Sequence, residues 1–278
     1  MEQIAAGNKA LFRGKRSLSL VKPIDELPST DTGLTVTTVG VNPGVVTSIL
    51  LGMFAILLFV NVAVILFNDA TGHSNYLLSK LDEEFNFDIE MNVPSYFNTL
   101  LLVCPSMLLG MIAYLKFKTR ETYVVHWAIL AVGFFAMSFD EMTSVHERLI
   151  KPLRRMMGGE HFGFFYFAWT LPAIGLLIVL GGIFLRFWWK LPRRTRFYCA
   201  VSAVVYLGGV VGMEMVDGKY AEVYGVENLT YILLATFEET LEMVGLIIFI
   251  KTLLEYIATE FPKMELSFSP AEGADPNS

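Results

Sequence analysis

Long apolar runs alternate with short polar stretches along the chain. Six of the runs approach the length at which a helix crosses the ~30 Å hydrocarbon core of a bilayer. Backbone polar groups find no partner in lipid, so such runs are expected to form helices. The sequence therefore predicts an all-α integral membrane protein, a bundle of about six transmembrane helices at residues 45–67, 97–115, 123–147, 164–187, 197–217 and 229–254.

The polar stretch between the first two runs has a pattern of its own. Acidic residues crowd 82–90, while Leu77, Leu78, Leu81 and Phe85 recur at helical spacing. This spacing predicts a short amphipathic helix on the membrane surface, in the first outer loop.

The two ends of the chain lack long apolar runs. Residues 1–44 mix basic residues with Pro, Ser and Thr, and 258–278 end in small and polar residues. Neither composition buries enough apolar surface to order itself. We therefore expect a flexible cytosolic N-terminal tail, a transmembrane domain at 45–257 and a flexible C-terminal tail.

Composition supports membrane residence and narrows the range of partners. Apolar residues make up 54% of the chain and charged residues 17%, against about a quarter charged in ordinary soluble domains. The basic residues lie in tails and short loops rather than on a soluble domain, which excludes a nucleic-acid partner. Cys104 and Cys199 lie in apolar runs without metal-binding or disulfide spacing, so we expect buried thiols.

The distribution of Lys and Arg predicts the orientation. With the N-terminus inside, fifteen of the 21 Lys and Arg residues fall on the inner side and six outside. This asymmetry places both termini in the cytoplasm, and we expect a bacterial inner (plasma) membrane location.

Acidic residues inside three of the runs are the main chemical anomaly. Asp140, Glu141, His146 and Glu147 end the third run, Glu214 and Asp217 end the fifth, and Glu238, Glu239 and Glu242 lie in the sixth. An ionised carboxylate in hydrocarbon costs about 2.5 kcal/mol or more, so these groups are expected to face one another, water or a cation.

Helical geometry allows these acids to converge. Glu238 and Glu242 are four residues apart and Glu214 and Asp217 three apart, so each pair shares a face. On the third run, Glu141 and His146 flank the face that carries Asp140, so the full set needs a bent helix. The predicted topology places the acids of the third and fifth runs near the outer leaflet. Those of the sixth run join them if that helix enters the membrane near Ala235, and lie closer to the midplane, about 15 Å down, if it begins at Leu229.

Paired carboxylates with one histidine, drawn from several helices, are typical ligands of iron, manganese or zinc. We therefore predict a divalent metal bound by Asp140, Glu147, Glu214, Asp217, Glu238 and Glu242, with catalytic roles for Glu239, Glu141 and His146. Shared protons in a structural network that joins the helices are the alternative, because close carboxylates cannot all ionise alone.

Four basic residues, Arg148, Lys151, Arg154 and Arg155, follow the acidic end of the third run against the positive-inside trend. They fit the headgroup of an anionic lipid substrate. Simple ion pairing with nearby acids is the alternative.

These features favour a membrane-embedded enzyme that acts on a membrane lipid or another hydrophobic small molecule, by oxidation or hydrolysis. Two alternatives remain open. A proton or cation transporter would use the acids as a relay. A non-catalytic subunit would use them to lock helices together within a larger membrane complex.

Overall fold

The computed structural model describes residues 40–72, 75–159 and 161–262, and within these ranges it contains helices and no strand. The all-α class is therefore confirmed. In chain order the helices are α1 (Pro43–Ala70), α2 (Tyr76–Phe85), α3 (Val93–Lys118), α4 (Val124–Thr143), α5 (Val145–Met157), a 3-10 turn (Gly163–Phe165), α6 (Thr170–Lys190), α7 (Arg193–Leu207), a π-helical segment (Gly208–Met213), α8 (Glu214–Tyr224) and α9 (Leu229–Glu260).

Five helices are long and apolar enough to cross a membrane. They are α1, α3, α4, α6 and the continuous helix Arg193–Tyr224, which joins α7, the π-helical segment and α8. Each overlaps a predicted run. The sixth predicted run lies in α9, which has 32 residues but carries three glutamates in its first half, so its composition differs from that of the other five.

The third predicted run, 123–147, is two helices rather than one. Ser144 has a left-handed conformation (φ 51°), and this residue separates α4 from α5. A non-glycine residue seldom adopts this conformation, and it ends the helix because the next turn cannot continue in register. The bend needed to bring Glu141 and His146 to one place is therefore present.

The helix α9 forms the centre of the bundle, where it contacts α1, α3, α7 and α8. Its Met243, Leu246 and Ile247 are fully buried against α1 and α3, where they meet Leu101. Burial on several sides explains how α9 keeps polar residues away from the outer surface of the bundle.

Two glycines let α7 and the π-helical segment approach α9 closely. A Cβ atom on Gly245 would lie 2.7 Å from the backbone nitrogen of Tyr206, and one on Gly209 would lie 2.9 Å from the carbonyl oxygen of Glu238. Small residues at such a crossing permit backbone contact. This contact places α8 beside the glutamates of α9.

The outside of the bundle is apolar. Large side chains such as Phe59 on α1, Val132 on α4, Ile178 on α6 and Val204 on α7 are exposed. Exposed large apolar side chains on this many helices are typical of a surface that contacts lipid or another protein.

The segments between the helices agree in part with the sequence. The predicted amphipathic helix corresponds to α2, although none of its residues is buried. Most of the two predicted tails lies outside the described residues; α1 begins at Pro43 and α9 ends at Glu260.

Candidate functional site

The site lies at the end of the bundle where α4 ends and α9 begins. Asp140, in the last turn of α4, contacts His146 in the first turn of α5 through both carboxylate oxygens. Its Oδ1 accepts a hydrogen bond from the backbone nitrogen of His146 (3.0 Å), and its Oδ2 lies 2.8 Å from Nδ1 of the imidazole. The left-handed Ser144 turns the chain back so that these contacts form. The ring of His146 is therefore held in one orientation.

The surroundings of His146 are acidic. Burial lowers its pKa, but the hydrogen bond and charge of Asp140, with smaller contributions from Glu214 and Glu90, raise it more, to about 9. The site therefore favours a positive charge at this position. A metal ion would meet the same field once the imidazole had lost its proton.

Glu90, His146 and Glu147 form a group in which one ligand atom from each lies within 4.8 Å of the others. Oε2 of Glu90 is buried, and no hydrogen-bond donor among the described residues reaches it. Burial and then the charge of Glu147 raise the pKa of Glu90 to about 7, while His146 opposes them. We refer to Glu90, His146 and Glu147 as the ligand triad.

The loop that carries Glu90 is fixed by asparagines. Asn61, fully buried in α1, accepts a hydrogen bond from the backbone of Phe87 (3.3 Å) and donates one to Thr236 in α9 (3.1 Å). Asn92 donates to the carbonyl of Asn86 (2.6 Å). These bonds tie the loop to both α1 and α9, so Glu90 enters the site on an ordered support.

A second group of acids lies deeper, between α8 and α9. Asp217 is 1% exposed, and both of its carboxylate oxygens are buried without a donor among the described residues. The carboxyl group of Glu238 lies near enough to Asp217 and Glu214 to interact electrostatically with both. Buried carboxyl groups that interact in this way cannot all ionise unless a proton or a cation offsets their charge. We call Glu214, Asp217 and Glu238 the buried carboxyl row.

The row is held by an indole. Nε1 of Trp169 donates a 2.6 Å hydrogen bond to Oε1 of Glu214, and the ring of Trp169 lies 4.9 Å from that of His146. The loop before Trp169 is fixed from α8, because Glu222 accepts hydrogen bonds from the backbone of Phe162 (2.6 Å) and Gly163 (2.9 Å). Trp169 therefore stands between the ligand triad and the buried carboxyl row.

Glu141 and Glu242 meet through an amide from α3. Nδ2 of Asn98 donates to Oε1 of Glu141 (3.1 Å), and Glu242 lies near the same amide. Asn98 is fully buried, and its Oδ1 has no hydrogen-bond partner in the part of the chain that the structure describes. Glu239 lies near enough to interact electrostatically with Glu141 and Glu242.

The structure thus brings the predicted acids to one end of the bundle but divides their contacts. Only Glu147 of the six predicted metal ligands belongs to the ligand triad, and predicted catalytic His146 joins it. Asp140 is bonded to His146 instead. The other predicted ligands lack cationic partners: within the described residues, no Lys or Arg nitrogen lies within ion-pairing distance of Glu214, Asp217, Glu238 or Glu242. In the same ranges, these four acids form no group of three whose ligand atoms all lie within 4.8 Å of one another.

The four basic residues of α5 fall into two groups. Arg148, Lys151 and Arg155 are exposed. Arg154 instead donates from Nε to the carbonyl of Tyr166 (2.6 Å), with its guanidinium 3.7 Å from the centre of the Tyr166 ring. Arg154 therefore anchors α5 to the segment before α6.

Sequence reasoning missed Glu90, Asn98 and Trp169 as members of this site. Glu90 belongs to the acidic stretch 82–90, whose composition predicts only a surface segment. Asn98 carries the only side-chain amide in α3, and an amide in an apolar run was the available signal. Trp169 resembles an ordinary interfacial aromatic residue.

The family comparisons bear on the whole of this region. A family model described as a domain of unknown function (DUF8692) matches residues 50–256, which include every residue of the site. No curated protein and no solved structure matches the chain.

Proposed function

Because the chain belongs to the DUF8692 family, whose description names no activity, we propose its function from the geometry of the site. The protein is a six-span membrane enzyme that depends on a divalent metal and acts on a lipid or another hydrophobic small molecule. The observation that carries the proposal is the ligand triad, with its histidine oriented by Asp140.

Membrane insertion is supported by the five long apolar helices and the apolar outer surface. We assign α9 as the sixth span. Its Glu238 and Glu242 are buried inside the bundle, so the acids that lower its apolar character do not face lipid. The Lys and Arg distribution favours an orientation with both termini in the cytoplasm, in which the ligand triad is on the outer side.

Metal binding is supported by three features of the ligand triad. Two carboxylates and an imidazole suit zinc, iron or manganese. Asp140 holds Nδ1 of His146, as an outer carboxylate does for many metal-binding histidines, and this leaves Nε2 for a ligand bond. The partnerless Oε2 of Glu90 supplies a buried oxygen that needs a cation or a proton.

Three protein ligands leave room for a water or substrate oxygen, and a bound metal would activate or polarise that oxygen. The buried carboxyl row lies behind Trp169 and holds protons between its paired acids. Glu238 interacts electrostatically with both Glu214 and Asp217, so the three acids can share fewer protons than they have carboxyl groups. The row therefore supports acid–base chemistry beside the triad.

Elemental analysis of the full-length protein, purified in detergent after growth with iron, manganese and zinc, tests the proposal. We expect about one metal per chain in the wild type, and loss of it in Glu90→Gln and His146→Gln. The matched control is Glu84→Gln, an exposed acid on α2, which should keep the metal. Glu238→Gln should also keep it, because its partners are other carboxyl groups.

A metal-free wild type under these conditions would refute the enzyme proposal. Metal retained in Glu90→Gln but lost in Glu238→Gln would move the ion from the triad to the buried carboxyl row.

The transport alternative has less support in the structure. A relay through the bilayer needs acids along its length. Within the described residues, α3 and α6 contain no acid, and the acids of α4, α8 and the first half of α9 gather at one end.

A further inference from the structure

The helix α5 has two exposed faces with different chemistry, and none of its residues is buried. Arg148, Lys151 and Arg155 are three and four residues apart, so they share one side of the helix. All three are exposed, and in the described ranges none lies within ion-pairing distance of an acid. We call them the basic face.

The neighbouring side of α5 is apolar and exposed. Val145, Leu149 and Met156 lie four and seven residues apart, and Met156 is 83% exposed. An apolar side beside a basic side is typical of a helix that lies in the headgroup layer of a membrane. Since α5 follows the membrane-length helix α4 after a single residue, Ser144, it starts at the depth where α4 leaves the apolar layer.

We propose that the basic face of α5 binds the phosphate of an anionic phospholipid and so makes that lipid the substrate class of the adjacent site. This inference rests on the proposed function for the word substrate, but not for the binding itself. The free charges of the basic face supply the attraction, and the apolar side admits the acyl chains. Exposed basic residues near a membrane surface attract acidic lipids in this way.

The position of the basic face links it to the ligand triad. His146 and Glu147 occupy the first turn of α5, and Lys151 follows Glu147 by four residues, which is about 6 Å along the helix axis. A phosphate at Arg148 and Lys151 therefore lies about one helical turn from the triad. A single lipid can therefore have its phosphate at the basic face and its glycerol part beside the triad.

Arg154 serves as a contrast within the same helix. It points to Tyr166 and Phe162, where it is occupied by a hydrogen bond and by ring contacts. We therefore exclude Arg154 from the lipid-binding set and expect its loss to lower thermal stability instead.

The test measures binding of a fluorescent phosphatidylglycerol to the full-length protein in detergent micelles, with fluorescent phosphatidylcholine as the neutral lipid. The triple variant Arg148→Gln, Lys151→Gln, Arg155→Gln should bind phosphatidylglycerol about 100-fold more weakly, since each charge contributes about a factor of five. Binding of phosphatidylcholine should not change. A matched triple variant, Arg120→Gln, Lys190→Gln, Arg193→Gln, removes three exposed charges at the other end of the bundle and should bind like the wild type.

Equal binding of the two lipids by the wild type, or full phosphatidylglycerol binding by the first triple variant, would overturn the inference. A competition experiment tests the other source of a phosphate group. If glycerol phosphate displaces the fluorescent lipid at the same concentration as unlabelled phosphatidylglycerol does, the inference is overturned in favour of a soluble phosphate ligand. If the triple variant melts early, Arg148→Lys with Arg155→Lys should fold and keep binding.

Metal content separates this inference from the proposed function. A triple variant that keeps its metal and loses the lipid supports both. A wild type without metal but selective for phosphatidylglycerol would refute the enzyme and leave the lipid site standing.

Discussion

Replacing Asp140 by Asn should weaken metal binding by the ligand triad without unfolding the protein. The change keeps the size of the side chain, and its remaining oxygen can still accept from the backbone nitrogen of His146 (3.0 Å in the native contact). The NH2 group of the new amide, however, then faces Nδ1 of His146 across the 2.8 Å contact. Both groups are hydrogen-bond donors, so the bond is lost. The imidazole loses the partner that fixes its orientation and proton position.

The size of the effect follows from that lost contact. A hydrogen bond to a charged group contributes about 1.5–3 kcal/mol, and about 1.4 kcal/mol corresponds to a tenfold change in affinity. Removal of an outer partner from a metal-binding histidine costs about 10- to 100-fold. Because the side chain of Asp140 is 37% exposed, water screens part of the contact, and we expect a loss near the lower end, about tenfold.

The assay is a competition between the full-length protein and a colorimetric chelator, for zinc and for manganese, in one detergent and with melting temperatures measured in parallel. Glu84→Gln, an exposed acid on α2, is the control for a lost negative charge. An Asp140→Asn variant that binds both metals within twofold of the wild type would show that His146 is not positioned by Asp140. Equal weakening in the control would reduce the effect to net charge.

Three further predictions concern packing, topology and pH. Gly245→Ala should lower the free energy of unfolding by about 1–3 kcal/mol, because the new Cβ atom would lie 2.7 Å from the backbone of α7. Gly181→Ala on α6 is the control, since its Cβ atom meets open space and should not destabilise the protein. Equal melting temperatures for the two variants would contradict the close contact. Reporter fusions after Ser278 and within 70–92 should report cytoplasmic and outer locations, and the same side for both would exclude the six-span arrangement. In metal-free protein, charged His146 contributes its full stability below its ordinary pKa of 6.5, and this contribution is lost as pH rises through about 9. The melting temperature should therefore fall over this pH window. The His146→Gln variant should lack that part of the fall.

The helical class and the positions of the long helices were predictable because lipid imposes a strong and local rule. A run of apolar residues reports its own length, and no distant contact is needed to interpret it. The helix boundaries were less accurate where a single residue decides them. Nothing in the residue type of Ser144 required a left-handed conformation, so the separation of α4 from α5 came only from the structure.

The candidate site was predictable in its acids but not in its contacts. Acids are rare in membrane-length helices, so Glu214, Asp217 and Glu238 were visible from their surroundings in sequence. Which of them pair depends on how closely the π-helical segment before α8 approaches α9 at Gly209. Sequence spacing within one helix carries no information on that crossing. Glu90 was missed because loop acids are common, and its burial depends on contacts of Asn61 with segments far along the chain.

The acids of α9 also constrain how the protein is made. A carboxylate near the centre of a helix raises the cost of its transfer from the insertion machinery into lipid by about 2.5–3.5 kcal/mol, and α9 carries three. Only residues 225–228 separate α9 from α8, so, if α9 is the sixth span as proposed, the two helices can insert together as a hairpin with Glu238 beside Glu214 and Asp217. A chain that stops before α9 would leave Glu214 and Asp217 without Glu238 beside them.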